Sequence, residues 1–185
     1  MRWLKMSRIN GNRPFVPLNI AVMTVSETRT FTTDTSGQIL VDRLTTAGHA
    51  LADRAIVGDH IDSIVTRLRV WISDPHVDVI VTTGGTGLTG RDVTPEAFRQ
   101  VLEKEIDGFG ELFRWLSYAK IGTSTMQSRA IGGVANGTYL FAVPGSTNAC
   151  QDAWDEILSW QLDSRHKPCN LVELMPRLQE HLQQT

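Results

Sequence analysis

The sequence predicts an α/β protein: a three-layer α/β/α arrangement on a mainly parallel sheet, folded as a single domain. Short β-branched runs, apolar nearly throughout, alternate along the chain with amphipathic stretches of about ten to fifteen residues. Strands of that kind are covered on both faces, which is the habit of parallel sheets with helices on either side. At 185 residues the chain has material for one substantial core.

Each element has its own warrant. Leu18 to Val25 is the first strand, preceded by Pro14 and Pro17. After a Thr-rich loop, Ile39, Leu40, Leu44 and Ala47 recur at helical spacing until Gly48 stops the helix. Ala50 to Val57 is the second strand. Ile61, Ile64, Val65, Leu68, Trp71 and Ile72 then mark one face of a helix that Pro75 ends. Val77 to Thr82 is a third, central strand by composition. Amphipathic stretches over Glu96 to Lys104 and Phe109 to Lys120 follow, parted by Asp107-Gly108. The segment from Gly122 to Gly133 reads as polar loop, Gly137 to Val143 as a fourth strand, and Ala149 to Leu158 as a final helix. The expected organisation is a flexible N-terminal extension over 1–13, a domain over 14–163 and a tail over 164–185. Residues 1–5 read equally well as native chain or as an upstream extension, with Met6 as the natural start.

Composition excludes several classes of function. Eighteen Lys+Arg against twenty Asp+Glu give a net charge of −2, which provides no field to hold nucleic acid. No apolar run reaches the roughly 20 residues that span a bilayer, so no membrane partner is expected. Cys150 and Cys169 have neither metal spacing nor a disulfide framework, and reduced thiols fit a cytoplasmic protein. The five histidines are scattered, and no nucleophile elbow is present.

In a doubly wound sheet the ligand sits beyond the carboxyl ends of the strands, which points to the loops after Val25, Thr82 and Val143. The second of these reads Thr83-Gly84-Gly85-Thr86-Gly87-Leu88-Thr89-Gly90-Arg91-Asp92-Val93-Thr94-Pro95-Glu96. Glycines directly after a strand let backbone amides form a nest for phosphate oxygens. Thr94 reads as the N-cap of the next helix, with Pro95 at its first position. Arg91 suits phosphate, and Asp92 suits a divalent cation that bridges phosphates. Asp59 reads either as the N-cap of the helix containing Ile61 or as a second carboxylate for that cation. Asp34-Thr35-Ser36-Gly37 and Pro144-Gly145-Ser146 repeat the pattern of a turn followed by a capped helix start. Gly85, Gly87 and Gly90 also match the Gly-x-Gly-x-x-Gly spacing of nicotinamide-dependent oxidoreductases, but Gly90-Arg91-Asp92 prolongs the loop where that fingerprint should open a helix.

These motifs, with Ile121-Gly122-Thr123-Ser124-Thr125-Met126-Gln127-Ser128-Arg129-Ala130 and Lys167-Pro168-Cys169-Asn170, resemble the MoaB/Mog molybdopterin-binding family, in particular its MoaB branch. The likeness covers roughly Pro14 to Asn170. It implies a trimer, or a hexamer built as a dimer of trimers. It also implies Mg²⁺-dependent transfer of AMP from ATP, the co-substrate, to molybdopterin, the substrate, with pyrophosphate released. Asp59 and Asp92 match the family's essential carboxylates. The phosphate loop maps to Thr83 and Gly84 through Gly87. Asp34, Ser36, Gly37, Pro144, Gly145 and Ser146 fall where the family contacts pterin or nucleotide, and Arg91, Ser128 and Arg129 complete the expected site. The Pro-Gly-x-Pro turn common among the family's adenylyltransferases is Pro144-Gly145-Ser146-Thr147 here. A protein that holds the pterin without turnover is therefore the alternative.

Overall fold

The computed structural model describes residues 8–183, so the expectations for residues 1–5 and Met6 lie outside the described residues. A six-stranded sheet runs in the order β3(Ala50–Val57), β2(Asn19–Val25), β4(Val79–Thr83), β7(Thr138–Val143), β6(Ile131–Ala135), β5(Lys104–Glu105). The first four strands are parallel; β6 runs antiparallel to β7, and β5 runs antiparallel to β6. Helices α1(Thr35–Thr46), α2(Ile61–Ile72), α3(Thr94–Arg99), α4(Asp107–Ile121) and α5(Thr147–Ala153) complete the layers, and the last winds on through Trp154–Leu158 to Gln161.

Side-chain alternation along the strands separates two cores. Ile20, Val22, Val79, Val81, Tyr139, Phe141 and Val143 face α1, α4 and α5, where they meet Leu40, Leu44, Phe113, Cys150 and Trp154. Ala21, Met23, Val25, Ile80, Leu140 and Ala142 face α2 and α3, where they meet Ile64, Leu68, Trp71, Ala97 and Phe98. A central strand must be apolar at successive positions to serve both faces, and the five residues of β4 are all buried. Trp71 and Trp154 lie in these cores, whereas Trp115 is largely exposed.

Two expectations need correction. The stretch Glu96 to Lys104 is helical only as far as Arg99, and Lys104–Glu105 pairs with β6. The segment Gly122 to Gly133 is a 3-10 turn, Gly122–Gln127, followed by the start of β6. Its glycines conceal the strand for a physical reason: a Cβ on Gly133 would stand 2.5 Å from the Lys104 carbonyl oxygen, and one on Gly132 would strike Phe141.

Both ends of the described segment lie on the domain. In the segment expected to be a flexible extension, Arg8 and Ile9 pair antiparallel with Lys167 and His166. In the tail, Asn170 is buried, and Tyr139 donates its hydroxyl to the Leu171 carbonyl at 3.0 Å. Among the described residues, no helix is long and apolar enough to cross a membrane.

His49 fixes the entry to β2. Its Nδ1 accepts the Leu18 amide at 3.1 Å, and the ring is 5% exposed. Burial holds its pKa below the ordinary 6.5, and the nearby Asp163 charge only partly offsets this. The folded chain thus binds fewer protons here than the unfolded chain, so stability is complete above that value and drains as pH falls through it. Thermal melts at pH 7.5 and pH 5.5 are expected to show lower stability at the lower pH, part of it from this residue. His49→Gln, which keeps an acceptor but cannot titrate, should flatten that part of the slope.

Candidate functional site

The sheet reverses its winding at β2. The chain passes from β2 to β3 on one side, then crosses back to lay β4 on the other. The crevice of a doubly wound sheet opens at such a point, and the Thr83 to Gly87 turn fills it. Gly84 and Gly85 take φ of +100° and +65°. A Cβ on Gly84 would stand 2.4 Å from the Val25 carbonyl oxygen, so the turn lies directly on the end of β2. A Cβ on Gly145 would come within 3.2 Å of the Gly84 Cα, which brings in the turn after β7. Three strand ends therefore converge, as expected of the loops after Val25, Thr82 and Val143.

Hydrogen bonds lock this arrangement. Gly84 donates its amide to Val143 at 3.1 Å, and Thr83 donates its hydroxyl to the Pro144 carbonyl at 3.0 Å. Thr94 is not the cap expected of it. Val93 occupies that position without a side-chain bond, and the buried Thr94 hydroxyl donates to the Gly84 carbonyl at 2.8 Å. Arg129 is likewise engaged. Its Nε donates to the Gly87 carbonyl at 2.7 Å, one Nη to the Asp92 carbonyl at 2.6 Å and the other to Glu96, while its amide bonds Thr86. The guanidinium thus clamps the loop, which leaves exposed Arg91 as the cation at its tip. Ser128 lines a depression of about 390 Å³ beside Arg99 and Arg114, and its hydroxyl accepts the Ala130 amide at 3.4 Å.

The Asp34 element is as expected at its cap and more constrained elsewhere. Asp34 Oδ1 accepts the Gly37 amide at 2.8 Å, while Oδ2 takes the Thr24 hydroxyl and Arg54. The carboxylate is 2% exposed and ion-paired, so it supports the site from beneath. A Cβ on Gly37 would collide with it at 2.2 Å. Ser36 donates to the Gly145 carbonyl at 2.8 Å, tying α1 to the turn after β7. Ser146 caps α5 by accepting the Ala149 amide at 3.2 Å.

Asp59 and Asp92 approach the glycine turn from two sides. A Cβ on Gly85 would lie 3.5 Å from Asp59 Oδ1, and one on Gly87 would lie 2.8 Å from Asp92 Oδ2. They do not stand on adjacent strands, since β2 lies between β3 and β4. Asp59 is no cap either: His60 holds that position. The two acids have opposite electrostatics. Burial, then the charges of Glu27 and Asp92, raise the Asp59 pKa. Burial acts the same way on Asp92, but the Thr89 hydroxyl and amide, the Gly87 amide and Arg129 outweigh it and lower the value. Glu27 escaped the sequence reading: its Oε1 accepts the Asp59 amide at 2.7 Å. The available signal was an acid two residues past β2, in a loop already marked for chemistry. Among the described residues, no group of three His, Cys, Asp or Glu side chains is placed to hold a metal ion. Cys150 lies buried under the Pro144 turn, its thiol pushed up to about 11 by burial, and is inert packing.

The fold is that of a known class of α/β domain: the family described as a probable molybdopterin binding domain matches residues 21–164. The chain belongs to this family, in its MoaB/Mog group. It is 50% identical over 156 residues to molybdenum cofactor biosynthesis protein B of Escherichia coli K12, covering 84% of this chain and 92% of that protein. A crystal structure of a molybdenum cofactor biosynthesis protein B superposes with a TM-score of 0.82 at 39% identity, covering 91% and 99% of the two chains. The tungsten cofactor synthesizing protein MoaB from Pyrococcus furiosus gives 0.69 at 33%, covering 77% and 91%.

Gly84 offers a direct test of the turn. Gly84→Ala forces both a left-handed conformation and a backbone clash. It is expected to destabilise the fold by about 1–3 kcal/mol in urea denaturation. An unchanged midpoint would show that the turn does not rest on β2 as described.

Proposed function

We propose that the protein acts in molybdenum cofactor biosynthesis and joins AMP from Mg²⁺-bound ATP to the terminal phosphate of molybdopterin. The observation that carries this reading is the glycine turn at the switch point, flanked by Asp59 and Asp92. An oxygen of the pterin phosphate attacks the α-phosphorus of ATP, the bond to the β-phosphate breaks, and pyrophosphate leaves. The attacking group is already an anion, so no protein nucleophile or general base is required. Positioning and charge neutralisation supply the rate.

The residues suit a magnesium ion shared with substrate. Two carboxylates, with substrate phosphates and water completing the shell, are the usual donor set for Mg²⁺. The like charges of Glu27, Asp59 and Asp92 also bear on one another in a way that a cation relieves. When bound, the ion neutralises phosphate charge and activates the α-phosphorus. Asp59 and Asp92 would hold it, amides of Gly84 to Gly87 would bind non-transferred oxygens, and Arg91 would offset charge on the leaving pyrophosphate. Arg129, paired with Glu96, positions the loop through bonds to the Gly87 and Asp92 carbonyls.

One observation favours the second reading, a protein that holds the pterin without turnover: Asp92 Oδ2 already accepts two bonds from Thr89. Purified protein incubated with molybdopterin, ATP and Mg²⁺ separates the two. Pyrophosphate released in step with adenylylated pterin supports transfer; binding without release supports a carrier. Under the transfer reading, Asp92→Ala lowers turnover by about a hundredfold or more while pterin binding persists. Unchanged turnover in that variant removes the metal role.

We also infer that the protein self-associates as a trimer or hexamer. Leu112, Tyr118 and Ile121 form an exposed apolar stripe on α4, continued by Met126 at 77% exposure. Sedimentation is expected to show a homo-oligomer, and Tyr118→Asp with Ile121→Asp to lower its order. A monomeric wild-type chain would overturn this.

A further inference from the structure

Asp59 lies between regular elements, and the chain must fix it by other means. It follows the end of β3 by two residues and precedes α2, whose cap position His60 holds without a side-chain bond. Within the turn, the His60 amide donates to the Gly58 carbonyl at 2.8 Å. That bond closes the turn but does not tie it to the sheet.

The tie comes from Glu27, two residues past β2. The ladder between β2 and β3 ends with the Ser26 amide on the Val57 carbonyl at 2.8 Å. Had it continued, the Asp59 amide would reach the Ser26 carbonyl. It donates instead to Glu27 Oε1 at 2.7 Å, so the chain leaves the sheet at Gly58 while Asp59 stays anchored beside β2. The carboxylate also lies against Gly58, where a Cβ would stand 2.8 Å from Oε1 and 3.3 Å from Oε2. A side chain at position 58 would thus push the acid off the amide. In return, a hydrogen bond from the Glu27 backbone reaches the Asp59 carboxyl. Glu27 is itself held: the Ser26 hydroxyl accepts the Thr28 and Arg29 amides on either side of its turn, each at 3.2 Å.

We propose that Glu27 is a positioning residue, which grips the Asp59 amide and so aims the Asp59 carboxylate at the glycine turn, where Oδ1 lies 3.5 Å from the place of a Cβ on Gly85. The inference rests on the reading of Asp59 and Asp92 as the pair that holds Mg²⁺ with ATP, and deepens it. Glu27 acts through an accepted hydrogen bond, so a neutral acceptor of the same length can replace it.

Calorimetry on the full chain, with ATP in Mg²⁺ and ATP in chelator, gives a ratio of affinities that isolates the metal's share. Melting temperatures follow the fold of each variant. Glu27→Ala is expected to cut the ratio about tenfold, as loss of a partner that orients a metal-holding group does, with ATP binding in chelator and molybdopterin binding unchanged. Glu27→Gln, which keeps the acceptor and loses the charge, should restore the ratio. Gly58→Ala, which keeps the charge and displaces the acceptor, should reproduce the loss. If Asp59→Asn lowers the ratio while Glu27→Ala and Gly58→Ala leave it unchanged, the positioning role falls and the Mg²⁺ reading stands. If Glu27→Gln is as weak as Glu27→Ala, the residue acts through its charge and the positioning role is overturned. If Mg²⁺ adds nothing to ATP affinity in the wild-type chain, the reading and the positioning role fall together.

Discussion

The site depends on one close approach between backbones. Gly84 rests on the Val25 carbonyl at a separation that leaves no room for a side chain, and Gly145 rests on Gly84 in turn. No other residue fits at Gly84, because left-handed backbone and missing Cβ are both needed there. Through this stack, three strand ends that belong to distant parts of the sequence become one surface. The Thr94 hydroxyl and the Arg129 guanidinium then hold the turn from its outer side. Rigidity of this kind matters for a phosphate nest, because donors that are already oriented incur no reorganisation when charge arrives.

Three aspartates near this stack illustrate how environment sorts identical side chains. Asp34 is buried, ion-paired to Arg54 and bonded at both oxygens, so its charge serves the scaffold. Asp92 is bonded on one oxygen and held ionised by its neighbours. Asp59 donates its backbone amide to Glu27, and at its carboxyl burial and the like charges of Glu27 and Asp92 outweigh a Glu27 backbone hydrogen bond and the Arg91 charge. A carboxylate left in that condition is destabilised until a counter-charge arrives. Of the three, Asp59 is the one whose charged form its surroundings disfavour.

The fold was largely legible in the sequence because its dominant signal is local. Alternating apolar strands and amphipathic helices reveal the parallel sheet, and the Asp34 cap on Gly37 follows from neighbouring residues. What escaped is set by contacts between distant residues. Strand β6 is hidden by Gly132 and Gly133, which are required by the closeness of Lys104 and Phe141. Thr94 has the local context of a cap, but its hydroxyl is claimed by Gly84, ten residues earlier. Asp59 could be read as a cap or as a site carboxylate, and only the placement of the glycine turn decides between them. Arg129 has the chemistry of a phosphate ligand, yet three of its five side-chain donors are engaged by the Gly87 and Asp92 carbonyls and Glu96. Glu27 meets Asp59 across 32 positions of sequence, a separation at which no periodicity or cap rule operates.

The same reasoning explains why α1 and the glycine turn are mechanically continuous. Arg54 on β3 links Asp34 to Gln38, Gln38 links to Asp42, and Ser36 on the same helix grips the Gly145 carbonyl. Gly145 presses on Gly84, so helix α1 joins the glycine turn through hydrogen bonds and one van der Waals contact. A displacement at either end would have to break charged or buried bonds, each worth about 1–3 kcal/mol. The placement of α1 against the glycine turn is therefore built into the scaffold. Groups held in place in this way need no rearrangement to present one surface, because the bonds that fix them are intrinsic to the fold.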